Sequence, residues 1–76
     1  MNNERLKRER FVKIAENRTN KIISMIKLLG NCSNKNNYTY SEDDIRQIFN
    51  AIDQELKITK SKFQEAQSNK KEFKLK

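Results

Sequence analysis

The chain has 76 residues, a formal net charge of +7, one cysteine, one glycine and neither histidine nor proline. A single cysteine rules out an intrachain disulfide. With no histidine beside it the usual zinc ligand sets are excluded, so neither a metal nor a cofactor is expected. A chain this short makes one small domain, buries a small core and is marginal as a lone unit.

Charged residues (36%) outnumber hydrophobic ones (34%), a balance that leans towards disorder or solvated helix. The apolar residues are periodic, and that argues for helix. Residues 4–29 read as a first helix without proline, in which Phe11, Ala15, Arg18, Ile22, Met25 and Leu29 follow a 4-3-4-3-4 spacing. The start of the chain is charged and shows no signal peptide. Its most apolar stretch, Ile22 to Leu29, is broken by Ser24 and Lys27 and falls far short of the ~20 residues of a membrane span. A cytoplasmic protein with no membrane association is the expectation. Gly30 follows Leu29 where a left-handed residue would close the helix. A polar loop, Asn31 to Asn37, then satisfies its own backbone and resists helix; the connection is taken as residues 30–40.

The second helix has the best-marked start in the chain. Ser41 is the N-cap, Asp44 takes the capping-box position, and Tyr40 and Ile45 occupy the two positions of a hydrophobic staple. Glu42, Asp43 and Asp44 put negative charge on the positive end of the helix dipole. Ile45, Phe49, Ile52, Leu56, Thr59 and Phe63 form a stripe that spans 18 positions, the same as the first stripe from 11 to 29. This helix is expected from about 42 to 68, with a lysine-rich tail, 69–76, that frays. Two stripes of equal length on either side of a polar loop predict an all-α fold, an antiparallel two-helix hairpin.

On a wheel at ~100° per residue the apolar stripe of the second helix covers about 100°, which one neighbour can bury. The apolar arc of the first runs from Leu28, Ile14 and Met25 through Phe11, Ile22 and Leu29 to Ile26, Val12 and Ile23. It spans about 220°, more than one partner helix can cover. The surplus, carried by Ile14, Met25 and Leu28, has three readings. It meets a second copy in a dimeric four-helix bundle, it binds a different protein, or it is scattered surface without meaning. The first is preferred. Arg18, inside the stripe, either snorkels or pairs with Asp53 or Glu55; a single polar residue there can also fix register or partner choice.

Arg5, Lys7, Arg8, Arg10 and Lys13 place five positive charges in nine positions and point in nearly every direction around the first helix. A hairpin would return Lys70, Lys71, Lys74 and Lys76 to the same pole. Such a basic arm suits phosphates, whose binding releases counterions and weakens with salt, and a dimer would present two arms. Glu4 and Glu9 dilute the signal. Asn17, Arg18, Thr19, Asn20 and Lys21 include residue types that read base edges but more simply form a solvent face. Tyr38 and Tyr40 can stack on bases, yet packing of the loop and staple explains them. Lys35 is the only charge of the loop, and Cys32 has no neighbouring base to make it a nucleophile. No catalytic residue is expected, because acid–base work would fall to exposed carboxylates and lysines.

The stretch Arg10-Phe11-Val12-Lys13, Asn17-Arg18-Thr19-Asn20-Lys21, Leu28-Leu29-Gly30-Asn31-Cys32-Ser33-Asn34, Tyr38-Thr39-Tyr40-Ser41-Glu42-Asp43-Asp44-Ile45 and Ile48-Phe49 resembles small helical proteins encoded in mobile elements of low-GC Gram-positive bacteria. Glu72-Phe73-Lys74-Leu75 belongs to the same likeness, which covers most of the chain. The resemblance implies a plasmid, phage or transposon context and no site residues. Such elements encode DNA-binding accessory proteins and small inhibitors of host defence. The expectation is therefore a non-enzymatic nucleic-acid-binding accessory or regulatory protein. Its phosphate contacts would be Arg5, Lys7, Arg8, Arg10, Lys13, Lys70, Lys71 and Lys74. The alternative is a protein-binding module or inhibitor of a host or defence protein, in the manner of an anti-CRISPR, acting through Ile14, Arg18, Met25 and Leu28.

Overall fold

The computed structural model of the chain describes residues 2–69. They form two helices, α1 (Asn2–Asn31) and α2 (Glu42–Asn69), and no strand. The protein is thus all-α. It divides into two units, Met1–Thr39 and Tyr40–Lys76, one around each helix. The lysines expected to extend the basic pole, Lys70, Lys71, Lys74 and Lys76, lie outside the described residues, as does the fraying tail.

α1 is 30 residues long, or about 45 Å at 1.5 Å per residue. Glu4 stands in its first turn, where a carboxylate complements the helix dipole. The helix runs two residues beyond its expected end and includes Gly30, which does not adopt a positive φ. The expected left-handed cap is therefore absent. The last turns tighten instead: the amides of Cys32, Ser33 and Asn34 donate to the carbonyls of Leu29, Gly30 and Asn31 at 2.9, 3.1 and 3.4 Å. These three-residue closures satisfy carbonyls that a left-handed residue would otherwise cap. Asn34 then begins the next turn. Its carbonyl accepts from the amides of Asn37 and Tyr38, and its side-chain Oδ1 accepts from the amide of Asn36 at 2.9 Å. This local side-chain bond is what the asparagine-rich composition of the loop supplies.

α2 begins as its sequence signals. The amide of Asp44 donates to Ser41 Oγ at 3.1 Å, and the amide of Ser41 donates to Asp44 Oδ2 at 2.9 Å. That is a reciprocal capping box in which two otherwise orphaned donors are satisfied. The amide of Ile45 donates to the Ser41 carbonyl at 3.2 Å, the first bond of the helix. Tyr40 and Ile45 are both half-buried, as staple positions should be. Asp43 reaches along the helix to accept from Arg46 at 2.7 Å and from Gln47 at 2.8 Å.

The apolar stripes are laid out on both helices with little covering them. Among the described residues no hydrophobic side chain is buried. On α1, Val12, Ala15 and Leu29 reach intermediate exposure, and on α2 Ile45 and Ile52 do. Phe11, Ile22, Met25, Phe49, Leu56 and Phe63 are exposed.

Two substitutions test these termini. Ser41→Ala should cost about 1 kcal/mol by loss of the cap, read as a lowered Tm and a loss of helicity by circular dichroism. Gly30→Ala should stabilise by about 0.5–1 kcal/mol, because a Cβ there meets nothing within 4 Å and the backbone is right-handed. A left-handed glycine would give the opposite sign.

Candidate functional site

The first turns of α1 hold the densest charge. Arg5, Lys7, Arg8, Arg10 and Lys13 are all exposed. At ~100° per residue they point around most of the circumference, so no single face is basic. Two of them have acidic neighbours one turn away. Arg5 Nε lies 3.7 Å from Glu9 Oε2, and Lys7 Nζ lies 3.8 Å from Glu4 Oε2. Both pairs are long and solvent-exposed, and such pairs contribute a few tenths of a kcal/mol. They neutralise charge on average without locking either cation away from an anion. Arg8 sits over the ring of Phe11, with its guanidinium carbon 5.9 Å from the centroid. The ring face holds the guanidinium against the helix at a modest gain and leaves its donors facing water. Arg10 and Lys13 have no ion pair among the described residues.

The charge is distributed unequally between the two helices. α1 carries eight lysines and arginines against three acids, and α2 carries four against six. Three of the acids of α2 crowd its first turn. α1 is thus the cationic element, and the acids at the start of α2 are engaged in capping and in the Arg46 pair. An anionic ligand is attracted to the first helix and repelled by the start of the second.

The remaining candidates are placed as follows. Arg18 is exposed on α1, as are Asn17, Thr19, Asn20 and Lys21. Ile14, Met25 and Leu28 are exposed to 41%, 63% and 56%, high values for residues of their size. Together they form an apolar edge that Arg18 and Lys21 interrupt. Cys32 is a free, exposed thiol. Tyr38 is exposed in the loop, while Tyr40 belongs to the staple. A shallow notch on α2, lined by Asn50, Asp53, Gln54, Leu56, Lys57 and Lys60, is open to solvent. Among the described residues no group of histidine, cysteine or carboxylate side chains has the arrangement of a metal site, and no helix is long and apolar enough to cross a membrane.

The structure adds two features to the sequence reading: the Arg8–Phe11 stack and the pairing of Glu4 and Glu9 with the arm. Both were available as three- and four-residue spacings. Comparison with protein-family models, curated proteins and solved structures finds no match. The site therefore rests on the chemistry of its own residues.

If Glu4 and Glu9 only dilute the arm, replacing both by glutamine should change Tm by no more than a degree or two. It should also strengthen binding to a polyanion such as heparin several-fold, measured as a later elution in salt. An unchanged or earlier elution would mean that the arm does not meet the anion.

Proposed function

We propose that this protein is a non-enzymatic nucleic-acid-binding accessory or regulatory protein, of the kind mobile elements encode. It contacts phosphates through the basic first turns of α1. The observation that carries this reading is the set of five exposed cations between Arg5 and Lys13, none of them held by an ion pair shorter than 3.7 Å. Paired only loosely with Glu4 and Glu9, these side chains exchange a weak partner for a phosphate at little cost. Their spread around the helix suits a ligand that approaches from several sides, as the two backbones of a groove do. Lys70, Lys71 and Lys74 are the further cations of this reading.

The same proposal includes the packing that covers the stripes. α2 lies antiparallel on α1, with Phe11 level with Phe63, Ile22 with Ile52 and Leu29 with Ile45. The near-equal lengths of the two helices, 30 and 28 residues, support this pairing. α2 segregates its apolar residues more sharply than α1, so it offers one face to one neighbour, whereas the wider arc of α1 calls for a second. A second copy of the chain supplies it and completes a four-helix bundle.

A second reading is favoured by the exposure of Ile14, Met25 and Leu28. A protein partner, including a host or defence protein that this chain inhibits, would bury that edge with Arg18 as the polar contact within it.

Fluorescence anisotropy with labelled duplex DNA, single-stranded DNA and RNA, repeated across a salt series, tests the first reading. The expected log–log slope is between about −3 and −5 for an arm that meets three to five phosphates. The variant with Arg5, Lys7, Arg8 and Arg10 replaced by alanine should lose at least tenfold in affinity while remaining helical. Absence of salt-dependent binding by the folded chain would remove this reading and favour the partner protein.

A further inference from the structure

Resting on the reading that the arm binds nucleic acid, we infer that two copies of α1 pair antiparallel about Thr19. That pairing sets their basic arms one helical turn of duplex DNA apart. The argument begins with the two flanks of the apolar arc. If α2 takes the centre of the arc, each flank is left for a further neighbour. The flank of Ile14, Met25 and Leu28 contains Arg18 and Lys21, and a two-fold pairing there would bring these cations near their own copies. The other flank consists of Val12, Ala15, Thr19, Ile23 and Ile26, within about 80° of the wheel at ~100° per residue. Nothing charged lies within that sector from position 12 to 26. Val12 and Ala15 on it are already among the less exposed residues of α1.

Charge then fixes the direction. A parallel pair in register would lay five cations against the same five. Antiparallel about Thr19, Val12 stands level with Ile26 of the second copy and Ala15 with Ile23, while Thr19 meets itself across the axis. Small residues face large ones, as interdigitated helices require. Arg8 arrives level with Gly30 of the second copy, at the negative end of that helix dipole. No basic residue stands in that last turn to oppose it, and around Gly30 nothing lies within 4 Å of the Cβ position, which leaves room for a guanidinium.

The register gives a distance. The arm from Arg5 to Lys13 is centred ten residues from Thr19. At 1.5 Å per residue the two arms are centred about 30 Å apart along the pair. The same groove returns on one face of B-form DNA every ~34 Å, and the reach of a lysine or arginine side chain closes the difference. The ligand is therefore duplex DNA, held at two phosphate clusters on one face.

Two measurements on the full-length chain test this. Val12→Cys and Ile26→Cys are introduced together with Cys32→Ser, and the oxidised protein is mapped by mass spectrometry. The expected product links position 12 of one copy to position 26 of the other. Links of 12 to 12, or a protein that stays monomeric by sedimentation equilibrium while still helical, overturn the pairing. Ile23→Asp should raise the dimer dissociation constant at least tenfold, and Met25→Asp on the other flank should change it far less; equal effects would count against the chosen flank. Hydroxyl-radical footprinting of the unmodified chain on a 30-base-pair duplex should show two protected patches about ten base pairs apart on one face. Salt-dependent binding with a single patch would leave the phosphate-binding reading standing and remove this inference. No binding at all would remove both.

Discussion

The constraint on which everything else here depends is apolar surface that no residue of its own helix can cover. An isolated helix buries nothing across itself. The side chains of Phe11, Ile22, Met25, Phe49, Leu56 and Phe63 remain exposed along α1 and α2. Leaving a large aliphatic or aromatic side chain in water forgoes about 1.5–3 kcal/mol, and a chain this small has few other sources of stability. With no disulfide and no metal site among the described residues, the stripes must find partners. Helix propensity and the capping box determine where α2 begins, but packing against another surface decides whether so charged a sequence holds a fixed tertiary structure.

Charge works alongside that constraint. The cations of α1 are concentrated before its longest apolar stretch, so the arm and the packing surface occupy different parts of one helix. A ligand can then meet the first turns while the remainder is engaged by other helices. The acids of α2 have a local explanation: Asp44 closes the cap and Asp43 holds Arg46 and Gln47. They serve helix initiation, which leaves the net charge of +7 to be expressed mainly by α1 and the residues beyond α2. Separation of this kind directs an approaching polyanion to one end of a helix without a preformed pocket.

The helices were legible because their signals are local. The reciprocal bonds of Ser41 and Asp44 and the start of α2 at Glu42 follow from a four-residue pattern that operates within one turn. Gly30 misled for an instructive reason. A glycine after the last apolar residue commonly adopts a left-handed cap, but here the carbonyls of Leu29, Gly30 and Asn31 find amides three residues onward, and glycine tolerates the right-handed backbone as well. The basic arm was legible as composition, and its pairing with Glu4 and Glu9 as spacing. The identity of the ligand was not, because lysines and arginines that keep a protein soluble and those that grip a phosphate have the same sequence signature. Tertiary pairing is equally hidden, since the stripes of both helices specify a need for cover without naming the surface that provides it.

The central claim is that the first turns of α1 receive a polyanion, and residue-resolved NMR tests it most directly. In a titration of the isotopically labelled chain with a short DNA duplex, the account predicts amide shifts concentrated at residues 5–13, together with perturbation of the arginine side-chain resonances there. The largest shifts should shrink as salt is raised. Shifts confined to the apolar arc of α1 or to the surface of α2, with the arm unmoved, would contradict the account.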